Sequence, residues 1–336
     1  MSDNVKRRDF LAGVFAGTAV TAGSSFLWTR LPKGQPLNLA SVGSTSEDAP
    51  NIFANPNIQE NIDQMMQRAL DDLGATETLL ADLNNPEPSV DSERPITDKK
   101  GLLKKVRNFN SDFSDDIFLP ESFRPVLDTT LVRLGKVQKL VGHGHFNLIS
   151  FDEVISYAKR YDKVGAFTKT ESNFMEEIFF TDANNYGFYG DKVDTELTRA
   201  IAKRDVQKIP YSGHYLFKGE ALQHYKKLQK DVGNSIILTS GIRSNMKQMM
   251  LFLSKAKAVN YNLSRASRSL APPGHSYHGI GDYDVGRVGW GYKNFTGEFS
   301  KTDEFKRMQD LGYVKIRYTR DNNYGVRFEP WHIKVV

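Results

Sequence analysis

The sequence predicts an α+β fold, with a central antiparallel sheet in its C-terminal third preceded by a mainly helical region, on three patterns. Apolar residues recur at helical spacing from Leu127 to Tyr161 (Leu131, Leu134, Val137, Leu140, Val141, then Val154, Ile155, Ala158), and Phe174 to Phe180 continues in that style. Ser235 to Thr239 is a short apolar run between Gly233 and Gly241, which reads as a buried strand. Val314, Ile316 and Tyr318 alternate with Lys315, Arg317 and Thr319, the period of a half-exposed strand. Asp321, Asn322, Asn323 and Gly325 then form a turn, and Val326 to Val335 returns as the partner strand.

Composition narrows the function. The 336 residues carry 45 basic and 40 acidic side chains, a net charge of +5, with no dense Lys/Arg stripe of the kind that neutralises a row of phosphates. Nucleic acid is therefore not the expected partner. There are no cysteines, which removes disulfides, thiolate catalysis and Cys-ligated zinc together. Any metal must sit on His, Asp or Glu.

The first 40 residues read as an export leader. Lys6, Arg7 and Arg8 precede Asp9, Phe10 and Leu11, and no further charge follows until Arg30. The paired arginines resemble a twin-arginine signal, with removal expected after Ala22 or later, near Ala40. That implies the twin-arginine export machinery as a partner and a periplasmic or cell-envelope location. No lasting membrane span is expected once the leader is cleaved.

Three further segments follow. Residues 41–125 turn toward Asn, Asp, Ser, Glu and Pro and read as a linker with loose helices, such as a patch from Ile58 to Leu83, and a solvated connection from Glu87 to Lys100. Residues 126–205 form a helical accessory region. Residues 206–336 form the α+β domain. There, Ser244 or Asn245 is placed to cap a helix whose Met246, Met249, Met250 and Leu253 make one apolar stripe. Ser300 with Asp303 resembles a capping box opening a helix through Phe305 and Met308 to Leu311.

Three short motifs in this domain carry chemistry. In Ser240-Gly241-Ile242-Arg243-Ser244, followed by Gln248, an arginine at a strand end can project into a cleft, where its fork suits carboxylates and developing oxyanions. In the run Pro272 to Asp284, glycines allow tight folding around a centre and His278 is a zinc-ligand type. If Gly281 to Val285 is extended, Asp282 and Asp284 share a face, and either can join His278. In Phe328 to His332, a Glu three residues before a His allows one residue to bind metal while the other holds a proton near the bound water. His275 is the nearest competitor to His278. His143 and His145 flank Gly144 in an expected helix-breaking turn, His214 and His224 read as surface or core residues, and Tyr277, Tyr283, Trp290 and Trp331 are candidates to line a cleft.

Together the three motifs resemble the VanY/VanX-type D-alanyl-D-alanine carboxypeptidase family of zinc peptidases, over about residues 211–336. The family's Ser-Gly-x-Arg-Ser with a following Gln is matched by Arg243 and Gln248. Its Pro-Gly-x-Ser-x-His-x-x-Gly is matched by Pro273, Gly274, Ser276, His278 and Gly281, and its Glu-x-Trp-His by Glu329, Trp331 and His332. The resemblance implies Zn2+ held by His278, Asp284 and His332, Glu329 as general base, and Arg243 stabilising the tetrahedral intermediate. Gln248, Ser276 and Trp331 are its implied substrate contacts, and peptidoglycan peptides its substrates. One departure stands out: the family Asp lies seven residues after the first His, whereas Asp284 lies six after His278. A one-residue deletion between Gly281 and Asp284 reconciles the two. L,D-carboxypeptidase or endopeptidase action at the same site, and a wall-binding protein without activity, are the competing readings.

Overall fold

In the computed structural model, which describes residues 98–336, the chain opens on helix α1 (Lys99–Arg107), capped by the Asp98 carboxylate, which accepts the Gly101 N–H at 2.8 Å. The expected leader, the helical patch from Ile58 to Leu83 and the linker up to residue 97 lie outside the described residues. Lys99 and Lys100, expected in a solvated connection, form the first turn of α1 instead. The segment after it is anchored rather than loose. Leu119 is buried and its N–H donates to the Tyr261 carbonyl, and the Asp116 carboxylate is fully enclosed. Its partners, Asn262 and Arg268, lie 146 and 152 residues further along the chain, a distance at which local composition carries no signal.

Helices α2 (Arg124–Val141), α3 (His143–Phe146), α4 (Phe151–Arg160) and α5 (Lys169–Phe180) follow, and the apolar spacing predicts all of them but α3. Pro125 sits in the first turn of α2, where its missing N–H costs nothing. Reciprocal capping boxes, Ser150 with Glu153 and Thr168 with Glu171, open α4 and α5. The break between α2 and α3 falls at Gly142, whose φ of +84° suits a residue without Cβ. His143-Gly144-His145, expected to make that break, is instead the short helix α3.

The C-terminal part begins with a hairpin of β1 (Val206–Lys208) and β2 (Tyr215–Phe217), followed by α6 (Glu220–Val232). Then come β3 (Ile236–Ser240), α7 (Asn245–Ala258), α8 (Leu263–Ser267), β4 (Tyr283–Arg287), α9 (Asp303–Asp310), β5 (Lys315–Ile316) and β6 (His332–Lys334). The four strands form an antiparallel sheet in the order β3-β4-β6-β5. Ser244 caps α7 through a bond from the Lys247 N–H, as expected. The cap of α9 is Thr302 rather than Ser300, because Ser300 lies in a preceding 3-10 turn and turns its hydroxyl to the Gly297 carbonyl.

Both strands of the expected C-terminal hairpin are shorter than their alternation predicts. Only Lys315↔Lys334 and Ile316↔Ile333 pair. Upstream of β6 the pairing thins: the Glu329 N–H still reaches the Tyr318 carbonyl on the facing run, but the Arg327 N–H donates to the Arg268 carbonyl and Pro330 has no N–H to give.

Two apolar clusters meet at α7. Leu134, Val137, Phe146 and Phe174 share one cluster with Met246, Met249, Phe252 and Leu253, so α2 to α5 pack directly on the α+β part. Leu251, on another side of the same helix, belongs to the second cluster with Leu238, Val285, Trp331 and Ile333 beneath the sheet. Among the described residues, no helix is long and apolar enough to cross a membrane.

Candidate metal centre

Strand register builds the site. Asp284 of β4 pairs with His332 of β6, so their side chains leave the sheet as cross-strand neighbours on one face. On its other side Asp284 pairs with Ser240, the last residue of β3. The chain then passes so close to β2 that a Cβ at Gly241 would come 2.1 Å from the Tyr215 carbonyl oxygen, a position only glycine can hold. The Gly241 carbonyl in turn accepts from His278 Nδ1 at 2.8 Å. A carbonyl can only accept, so the His278 proton is on Nδ1 and its lone pair is on Nε2.

That lone pair faces the sheet. His278 Nε2 is 3.2 Å from Asp284 Oδ1, and His332 Nδ1 is 3.3 Å from the same oxygen. Ligand atoms of the three residues all lie within 4.8 Å of one another, and all three residues are buried. His278 Nε2 and Asp284 Oδ1 have no hydrogen-bond partner. Buried polar atoms are nearly always satisfied, so orphans that converge on a common point fit a cation between them. Two imidazoles and one carboxylate form a donor set that suits zinc and leaves a fourth position open.

Charges behind these atoms hold them in place. Arg243 donates through Nη2 to Asp284 Oδ2 at 2.6 Å and through Nε to the Ser240 hydroxyl at 2.9 Å, leaving Asp284 Oδ1 toward the centre. Asp282, the alternative ligand, stands behind His332: its Oδ2 lies 3.1 Å from His332 Nε2 and accepts from Arg317 Nε at 2.7 Å. Its Oδ1 accepts the Val335 N–H. Burial, helped by the Arg243 cation, pushes His278 down to about 4, so its imidazole is neutral and ready to bind metal. Burial also opposes charge on His332, but the Asp282 and Glu329 contacts and the Asp284 carboxylate outweigh it and raise that group to about 9. Asp284 is held well below the usual carboxylate range: burial works against the anion, but His278 and Arg243 overcome it.

All the site residues singled out in the sequence, Arg243, Gln248, Ser276, His278, Asp284, Glu329, Trp331 and His332, line one cavity. The Glu329 carboxylate approaches His332 Nδ1 at 3.6 Å. Gln248 donates to the Ala271 carbonyl, and its Oε1 is buried without a partner. Trp331 packs edge-on against Phe295. The other candidates lie elsewhere: His275 bonds the carbonyls of Gly190 and Asp191, Tyr277 reaches Asp191, Tyr283 bonds His224, and Trp290 stacks under Arg287.

Sequence reasoning missed the pairing of Asp282 with His332, its support by Arg317, and Arg327, which also lines the cavity.

Residues 216–336 match the family model described as VanY: D-alanyl-D-alanine carboxypeptidase. Among solved structures, the chain is similar to the vancomycin-resistance D,D-pentapeptidase VanY in complex with Zn(II), at 23% identity over 39% of this chain and 78% of that one, with a TM-score of 0.29. It is also similar to VanYB in complex with D-alanine-D-alanine, at 21% identity over 43% of this chain and 81% of that one, with a TM-score of 0.31. A search of the curated proteins found no match.

Proposed function

We propose that the chain is an exported, zinc-dependent D-alanyl-D-alanine carboxypeptidase-like hydrolase of peptidoglycan stem peptides, with His278, Asp284 and His332 as metal ligands. The observation that carries this reading is the convergence of those three buried side chains, two of them with orphaned atoms, in a cavity that also holds Glu329 and Arg243. The family match over residues 216–336 supports the substrate class. The six-residue spacing from His278 to Asp284 does not count against the assignment, because Asp284 rather than Asp282 stands opposite His332 in the ladder.

Zinc, when bound, supplies Lewis acidity and lowers the pKa of a coordinated water toward neutrality. The chain's own groups do the rest. Glu329 takes a proton from the attacking water and returns it to the leaving amine, the exchange expected of a carboxylate beside the ligand His332. Arg243 fixes Asp284 from behind, and its cation adds to the field that favours negative charge growing on the scissile carbonyl oxygen. Gln248, Ser276 and Trp331 line the space for the peptide. The leader directs the protein to the periplasm or cell envelope through the twin-arginine machinery. In this reading residues 126–205 brace the peptidase domain over residues 206–336, and the anchored residues 98–125 share that task with them.

Digestion of purified muropeptides, with mass analysis of the products with and without chelator, tests the proposal. Chelator-sensitive release of a terminal D-alanine is the expected result. Internal cleavage would move the reading to an endopeptidase, and zinc binding without any cleavage would move it to a wall-binding protein.

A further inference from the structure

We infer that Arg327 receives the C-terminal carboxylate of the peptide substrate and so sets a preference for carboxypeptidase over internal cleavage; this rests on the peptidase reading above. Arg327 is buried, 5% exposed, yet it lines the cavity of the metal centre. Its guanidinium carbon lies over the rings of Phe109 and Trp331, at 4.8 and 4.9 Å from their centroids, so aromatic surface takes part of its contact and its N–H edge is left for hydrogen bonds. On that edge Nη2 donates to the Phe295 carbonyl at 3.0 Å. Nε is buried with no hydrogen-bond acceptor, and the Glu329 carboxylate pairs with it only as an ion, at 3.8 Å.

A buried guanidinium with an unused donor is costly unless an anion arrives to complete it. Charge around the cavity points the same way. With a divalent ion bound, the Arg243 and Arg327 cations and the metal outweigh the Asp284 and Glu329 carboxylates, leaving an excess that favours an anionic ligand. Arg243 is already committed to Asp284 and Ser240, which leaves Arg327 as the cation with capacity to spare. A terminal carboxylate is planar and matches a guanidinium edge in two parallel bonds.

The test compares N-acetylated D-alanyl-D-alanine peptides bearing a free C-terminal acid with the same peptides as C-terminal amides. Both equilibrium binding to the zinc-loaded protein and hydrolysis are followed. The parent protein should bind and cleave the acid about 10²-fold better than the amide, and Arg327→Gln should abolish that preference by losing the acid alone, the size expected when one partner of a desolvated ion pair is removed. Zinc content should stay unchanged. Should Arg327→Gln fail to fold, Arg327→Lys keeps the charge, loses the fork, and should reduce the acid preference by about tenfold. Equal losses on acid and amide, or no preference in the parent, overturn the inference while leaving the peptidase intact. An Arg327-dependent acid preference in binding without hydrolysis overturns the peptidase reading, and with it the cleavage preference, and leaves only the carboxylate contact.

Discussion

Two buried charge clusters can be compared within the same chain. At one, both Asp116 oxygens are satisfied: Arg268 donates to each of them, at 2.7 and 2.9 Å, and Asn262 and the Phe113 N–H donate as well to Oδ2. Arg268 in turn donates to the carbonyls of Phe109 and Ser111. At the other, Asp284 accepts from Arg243 on one oxygen and turns the other, unsatisfied, toward His278 and His332. Both carboxylates are held below their ordinary range, Asp116 by its Arg268 bonds against the opposing cost of burial, so neither burial nor a shifted pKa separates the two. What separates them is unfinished hydrogen bonding. The first cluster stitches residues 98–123 to the α+β part, and the second leaves a buried carboxylate oxygen without a hydrogen-bond donor.

The largest expected contrast comes from removing the two carboxylates. Asp284→Ala should lose stoichiometric zinc and with it all metal-dependent hydrolysis, read by metal analysis of the purified protein. Asp116→Ala should retain zinc but destabilise the fold by about 3–5 kcal/mol, because it strands the buried Arg268 charge. Denaturant midpoints at constant slope measure this. Zinc loss in the second variant without loss of stability would collapse the distinction.

Glu329→Gln comes next. It preserves shape and should keep zinc, but it should lower hydrolysis of a D-alanyl-D-alanine peptide by at least ~10²-fold, the usual weight of a general base. Parental activity in a zinc-loaded variant would remove Glu329 from the mechanism.

Asp282 sharpens the comparison further. As a group that orients a ligand from behind, it should weaken zinc binding about 10- to 100-fold as Asp282→Asn, while leaving the ligand count unchanged. Competition with a chromophoric chelator resolves this from the outright loss expected for Asp284→Ala.

The smallest effect is on protons. In the metal-free protein His332 is raised to about 9 and is charged at pH 7, whereas His278 at about 4 is already neutral. Zinc must therefore displace close to one proton at pH 7, and affinity should climb about tenfold per pH unit until roughly pH 9, then level off. Calorimetric zinc titrations in buffers of different ionisation enthalpy give the proton count. Zero release would mean that His332 is neutral before metal arrives.

Legibility in the sequence follows the range of the interactions. The Ser244 cap, the methionine stripe of α7 and the Gly-bounded strand β3 depend on neighbours within a turn or two, and each is visible in the residue order. The candidate ligands stand out because three motifs carry them together, and the strand register adds that Asp284, not Asp282, stands opposite His332. Residues 41–125 read as a linker with loose helices because their polar side chains look solvated; in the described part of that segment, Asn262 and Arg268 stand beside Asp116. Alternation also overextends the C-terminal hairpin, because it predicts which face a residue takes but not whether its backbone will find a strand, and the Arg327 N–H bonds to Arg268 instead.

Helix α7 has apolar partners on more than one side, and beyond half-buried Met250 and Ser254 only its last residues reach solvent. Such a helix has little room for neutral drift. A bulkier side chain at Met249 would have to be matched by a smaller one in helices encoded far upstream, outside the stretch that matches the family model. The two halves of the gene are thus tied as an inherited pair, and exchanging the peptidase segment for a homologous one would succeed only if the upstream helices travelled with it.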